Sequence, residues 1–157
     1  MSDQPAPITP LIVEFTVAAD ATHAFELWTG GVELWWPAGH TVSGDPAAIT
    51  FEPRPGGRIV ERAPDGTEHV WGEVLVWEPP NQVHFRWHLF FTPADATRVA
   101  LTFTPADGGT RVRLVQTGWA DLGQQGPTRR ERTVQGWAAV TRRYRDVIDH
   151  RTPGGDP

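Results

Sequence analysis

Between Ile49 and Gln116 the sequence is a succession of short stretches in which apolar and polar residues alternate, and after Thr128 that period gives way to apolar steps of three and four. Alternation places every second side chain on one face of a strand, whereas the longer period draws one stripe along a helix. The clearest strand has Val83, Phe85, Trp87, Leu89 and Phe91 on one face, with His84, Arg86 and His88 on the other. Strands are also expected over 49–52, 58–62, 69–78, around Val99, Leu101 and Phe103, and over 111–116. Pro64-Asp65-Gly66-Thr67 and Asp107-Gly108-Gly109-Thr110 mark turns, because Asp-Gly readily supplies positive φ angles. A sheet apolar on one face and a helix apolar along one stripe bury those surfaces against each other. The expected fold is therefore α+β, a curved antiparallel sheet of about seven strands wrapped around a long C-terminal helix.

The N-terminal part supplies the remaining strand and two short helices. Leu11, Val13, Phe15 and Val17 alternate with Glu14 and Thr16, and Asp20 can cap a helix over Ala21 to Thr29 that ends at Gly30-Gly31. A second short helix through Leu34-Trp35-Trp36 stops at Pro37. At the other end, Thr128-Arg129-Arg130-Glu131 matches a capping box, and Val134, Trp137, Thr141, Tyr144 and Ile148 form the apolar stripe of the last helix. Gly136 inside that helix costs about 1 kcal/mol relative to alanine, which suggests close approach of the helix to its neighbours with Trp137 projecting inward. No repeat or linker interrupts the chain, so residues 9–150 are expected to be one domain, with flexible tails at 1–8 and 151–157.

Composition removes several chemistries. Among the 157 residues there is no cysteine, which excludes disulfides, thiolate metal sites and cysteine nucleophiles. All 14 basic residues are arginine, so no lysine Schiff base can form. Serine occurs at Ser2 and Ser43, neither in a Gly-x-Ser-x-Gly elbow, and no Gly-rich phosphate loop is present. The net charge of −5 argues against nucleic acid as a partner. No apolar run is long enough for a membrane span and no signal pattern opens the chain, so a cytoplasmic location without membrane contact is expected. Eight tryptophans are the one excess, and each indole N–H needs a partner when buried.

Five motifs occur in order: Trp35-Trp36-Pro37, Phe51-Glu52-Pro53-Arg54-Pro55-Gly56-Gly57-Arg58, Trp71-Gly72-Glu73-Val74, Trp77-Glu78-Pro79-Pro80 and Gly136-Trp137. Together they resemble the SRPBCC superfamily (START-like, helix-grip), specifically the domain similar to the activator of the heat-shock-protein-ninety ATPase. The resemblance covers residues 10–150 and implies a deep cavity between sheet and long helix, open to apolar small molecules. On that basis the cavity is expected to be lined by Trp28, Trp35, Trp36, Phe85, Trp87 and Leu101, and by Phe103, Leu114, Gln116, Trp137 and Tyr144. Glu61 and Glu73 are possible polar anchors. Many relatives carry a histidine late in the last strand where this chain has Gln116, and glutamine has no proton to exchange near neutral pH.

What such a domain does is left open by its fold. The leading expectation is non-catalytic binding of a lipid-, aromatic- or polyketide-like molecule, as a carrier or as a self-resistance protein that sequesters an antibiotic. The alternatives are a co-chaperone-like activator of a heat-shock ATPase, and a polyketide cyclase or hydrolase. No cofactor is implied. No metal is expected either, since His84 and His88 on a strand lie roughly 13 Å apart and face outward to solvent. Arg54-Pro55-Gly56-Gly57-Arg58 is expected to form a bulge with Arg58 paired to a carboxylate, in preference to an anion-binding nest. Periodicity does not decide whether Glu73 faces inward, since Val70, Val74 and Val76 make the opposite face equally apolar. Half of the arginines lie at position 129 or later and give the last helix a basic outer face, a possible protein docking surface.

Overall fold

Strands β1 (Leu11–Val17) and β2 (Ala48–Phe51) are consecutive strands of the chain, yet they form opposite edges of one seven-stranded sheet. The computed structural model describes residues 8–150; of the two expected tails, 1–7 and 151–157 fall outside the described residues, and Ile8 packs against the core. The other strands are β3 (Arg58–Arg62), β4 (Glu68–Glu78), β5 (Gln82–Trp87), β6 (Thr97–Ala106) and β7 (Gly109–Thr117). The spatial order is β1-β7-β6-β5-β4-β3-β2, antiparallel throughout. Helices α1 (Ala21–Gly30) and α2 (Val32–Trp35) carry the chain from one edge to the other, and α3 (Gly126–His150) packs along the curled face. This is the curved sheet around a long helix expected from the alternation of periods, and the helix-grip fold that the resemblance implies.

Local chemistry accounts for most boundaries. Asp20 accepts from the His23 amide at 2.8 Å and caps α1, as expected. Helix α3 differs from expectation at its start. It begins at Gly126, after a 3-10 run over Trp119–Gln125, so Thr128 lies inside the first turn and the capping box is not used as a cap. Its buried stripe is Trp137, Val140, Thr141, Tyr144 and Ile148, while Val134 is exposed. Strand β5 also differs. It ends at Trp87, Phe90 adopts φ 71°, and the apolar alternation of Leu89 and Phe91 continues in a turn, not in a strand. His88 consequently is buried, where a solvated position was expected, and burial pushes its imidazole below the ordinary value.

Two bulges in β4 set the faces of its side chains. Pairing passes from Ile59↔Gly72 to Val60↔Val70 and skips Trp71; it passes from Val74↔Phe85 to Val76↔His84 and skips Leu75. Each extra residue turns the following side chains to the other face. Trp71 and Val74 are therefore both buried, and Glu73 between them is exposed, opposite Arg58 and Arg86. Gly72 is required at this crossing, since a Cβ there would stand 1.9 Å from the Arg86 carbonyl oxygen. The loop before β3 is a backbone junction, as expected: Gly56 and Gly57 exchange hydrogen bonds with Val74, and Arg58 pairs with Glu52 and Glu68. No helix among the described residues is long and apolar enough to cross a membrane.

Candidate ligand-binding cavity

One end of the interface between sheet and α3 is closed by rings and the other end is open. The open end is a cavity of about 790 Å3, within the usual range for sites of drug-sized molecules. Trp36 enters it from the C-terminal end of α2, Trp87 from the last position of β5, Gln116 from β7, and Gly136, Trp137 and Val140 from the middle of α3. Leu89, Phe90 and Phe91 in the turn after β5 and Gln124 and Gln125 in the 3-10 run form the rim.

Three indoles make the wall. Ring centroids are 5.7 Å apart for Trp87–Trp137, 5.8 Å for Trp36–Trp87 and 6.0 Å for Trp36–Trp137. Each pair is tilted or edge-on, geometry that the aromatic quadrupole favours over a face-to-face sandwich. Trp36 donates to the His40 carbonyl at 3.0 Å. Behind the wall Trp71 packs on Trp36 and Trp87, at 5.1 and 5.8 Å.

Gln116 ties four elements together. Its Oε1 accepts from the Trp137 indole at 2.6 Å, and its Nε2 donates to the Thr97 hydroxyl at 2.7 Å. That hydroxyl donates to the Trp87 carbonyl at 3.3 Å, and the Gln116 carbonyl accepts from the Trp119 indole at 3.0 Å. A carboxamide offers a donor and an acceptor at once, which this relay needs. The same amide therefore braces α3 against β5, β6 and β7, and it lies in the cavity wall.

The two carboxylates named from the sequence are elsewhere. Glu73 points to solvent on the far side of the sheet, so it is no anchor within the cavity. Glu61 is buried behind Trp71 and outside the lining. Its Oε1 accepts from the Val42 amide at 2.8 Å and from the Trp71 indole at 3.0 Å, and its Oε2 accepts from the Ser43 amide at 2.8 Å. Burial alone raises a carboxyl pKa, but the bonds from Ser43, Val42 and Trp71 outweigh it and hold Glu61 below the ordinary value. Its role is to hold the loop of Val42 and Ser43 and the backing indole in place.

Of the residues expected in the cavity, Trp36, Trp87, Gln116 and Trp137 line it. Trp28, Trp35, Phe85, Leu101, Phe103, Leu114 and Tyr144 are buried in the core and do not reach it. Sequence reasoning missed the rim, His40 in the 3-10 turn after α2, and the polar residues of α3, among them Arg129 and Arg132. The capping-box pattern had placed Arg129 at a helix terminus, whereas its guanidinium lies 3.5 Å over the Phe91 ring and donates to the Asp95 carbonyl at 2.8 Å. Arg130 also turns back on the protein, donating to the carbonyls of Thr9 and Pro10. Gly136 does not serve close packing, since nothing lies within 4 Å of a Cβ built there.

A seven-stranded curled sheet, a helix laid along it and an aromatic cavity at one end of their interface define a helix-grip domain. The chain belongs to the family of activator of Hsp90 ATPase homolog 1-like proteins, whose profile matches residues 18–148. It is similar to the solved structure of Txn09, an anthrahydroquino-gamma-pyrone synthase solved as a complex, with 30% identity and TM-score 0.63 over 92% of this chain and 99% of that one. The Aha1 dimer from Colwellia psychrerythraea shares the fold at 14% identity and TM-score 0.67, over 90% of this chain and 97% of that one. DynU16, a putative protein of the dynemicin biosynthetic locus, matches at 18% identity and TM-score 0.67, over 90% of this chain and 48% of that one. Among curated proteins, none matches the chain.

Proposed function

We propose that the protein binds a polycyclic aromatic, polyketide-like small molecule in the cavity between its sheet and α3. The observation that carries this is the wall of Trp36, Trp87 and Trp137 around a volume of about 790 Å3. Burial of a planar ring system against indoles combines apolar transfer with ring stacking. The likeness to Txn09 at 30% identity supports an aromatic polyketide over a lipid. Carriage or antibiotic sequestration follows from binding alone. The family's name also points to activation of a heat-shock ATPase; the aromatic-walled cavity, and not the arginine-bearing outer face of α3, supports the preference for a small molecule.

The test is a fluorescence titration with 1,8-dihydroxyanthraquinone. Saturable quenching of the tryptophans at one molecule per chain is expected, and Trp87→Ala is expected to weaken it at least about tenfold, the scale on which loss of a buried aromatic contact is felt. Absence of quenching, or quenching unchanged in Trp87→Ala, overturns the reading. A second reading, that the cavity also transforms what it binds, is favoured by the synthase activity in the name of Txn09. His40 supplies an imidazole in the lining for proton transfer. Turnover of a bound anthrone or anthrahydroquinone that His40→Phe abolishes, with binding retained, distinguishes it from binding alone.

A further inference from the structure

The charge of the cavity runs against the charge of the chain. The sequence holds 19 acidic residues against 14 arginines, yet no Asp or Glu lines the cavity while Arg129 and Arg132 do. The two arginines are three apart on α3 and so share one side of the helix, and their situations differ. Arg129 is fixed by the Asp95 carbonyl and by the face of Phe91. Arg132 is exposed at the mouth and, among the described residues, has neither hydrogen bond nor ion pair. Gln124, Gln125 and Gln135 stand around the same mouth with carboxamide donors.

We propose that the cavity selects an aromatic acid, a planar ring system lying against the wall of Trp87 and Trp137 whose single anionic group lies at the mouth on Arg132. The proposal rests on the reading above that the cavity binds an aromatic molecule, and adds the charge of the ligand and the residue that recognises it. A guanidinium presents a planar fork of donors to a carboxylate, sulfonate or phenolate. Beside aromatic walls that exclude water, such a pair is weakened less by screening than one on an open surface. An acidic ligand also needs no acidic neighbour in the wall to be displaced or protonated. A cationic ligand would meet the like charge of Arg129 and Arg132, which costs affinity, and a neutral one would gain nothing from Arg132.

The experiment uses two dyes that share one aromatic frame, 8-anilinonaphthalene-1-sulfonate and neutral N-phenyl-1-naphthylamine. Their dissociation constants are measured by dye fluorescence on the full chain, on Arg132→Gln and on Arg132→Glu. The sulfonate is expected to bind about tenfold more tightly than the amine, a difference that shrinks as salt is raised. In Arg132→Gln the ratio is expected to fall towards one, chiefly through lost sulfonate affinity, and in Arg132→Glu to invert. Equal affinities in the wild type, or a preference that survives both substitutions, overturn the charge selection and leave aromatic binding standing. Failure of both dyes to bind overturns aromatic binding and the charge selection with it. Because Arg132 is exposed on the helix, both variants retain the contacts that fold the domain.

Discussion

Two clusters of three aromatic rings sit side by side along α3. At one end Trp28, Trp35 and Tyr144 have centroids 4.7, 4.8 and 5.1 Å apart and are at most 1% exposed. At the other, Trp36, Trp87 and Trp137 are 5.7–6.0 Å apart and border the cavity. Trp35 and Trp36, 5.5 Å apart, and Trp28 and Trp137, 6.4 Å apart, join the two. The anchors differ as well. In the closed cluster, Trp35 donates to the Leu27 carbonyl and Tyr144 to the Ala24 carbonyl, so both are fixed to the backbone of α1. At the open end Trp137 is held by the Gln116 side chain, and the backing Trp71 by the Glu61 side chain. Tight packing on a helix backbone makes a core. Rings spread further apart, one of them held by a buried polar side chain and backed by another held in the same way, make a wall with space in front of it.

The largest effect is expected from Trp28→Ala. The removed indole contacts Trp35 and Tyr144 in the closed cluster, and the void left there cannot be filled by moving helix α1 without breaking its carbonyl anchors. A loss of about 3–5 kcal/mol is expected in denaturant unfolding, with affinity for the dihydroxyanthraquinone changed little in the fraction that remains folded. Should Trp28→Ala weaken binding as much as Trp87→Ala does, the division between core and wall is false.

Glu61→Gln tests the polar support of the open end. The carboxylate accepts three bonds on two oxygens, and a carboxamide has one oxygen, so at least one donor loses its partner and faces an amide N–H instead. The expected loss at neutral pH is about 2–3 kcal/mol. The sign of the pH dependence follows from the direction of the shift. The Glu61 carboxyl is held below its ordinary value of 4.5, so its contribution is present above that pH and lost as pH falls through the lower, folded-state value. Unfolding of wild type and variant, compared at neutral pH and below 4.5, is expected to show the gap narrowing with acid. A gap independent of pH would show that the ionised form of Glu61 is not what holds Trp71. The ligand affinity of this variant is expected to fall as well, because Trp71 backs two of the three wall rings.

The comparison also separates what the sequence discloses from what it conceals. The order of strands and helices follows from alternation and from steps of three and four, and the family from five short motifs in sequence. Periodicity and the family resemblance point to buried positions, and for that reason they name the core rings Trp28, Trp35 and Tyr144 and the wall rings Trp36, Trp87 and Trp137 alike. Whether a buried ring has space in front of it depends on the distance between elements, which no local pattern encodes. The face of Glu73 was hidden for another reason: the bulge at Trp71 breaks the alternation on which any assignment of faces relies. The rim was hidden because Leu89 and Phe91 keep a strand's alternation in a segment that turns at Phe90. Arg129 matched a helix-start pattern, and a 3-10 run ahead of α3 removed the need for that cap.

The smallest effect, and the one that sharpens the comparison most, is expected from Gly136→Ala. Glycine in a helix interior costs about 1 kcal/mol relative to alanine, and closed packing does not account for it here, since a Cβ at this position meets nothing within 4 Å. The substitution is therefore expected to stabilise the protein by about 1 kcal/mol, a rise in Tm of roughly 2–4 °C for a chain of this size. The added methyl group projects from α3 beside Trp137, where Gly136 lines the cavity. A ligand lying flat against α3 would meet it, and a several-fold loss of affinity is expected together with the gain in stability. In that outcome the glycine is kept at the open end for the space it leaves and not for any contact it makes. If stability rises and affinity is unchanged, the ligand leaves the α3 side uncovered and rests on Trp36 and Trp87 alone. If stability falls, the helix at Gly136 is packed more closely than the open end allows, and the contrast between the two clusters has been drawn in the wrong place.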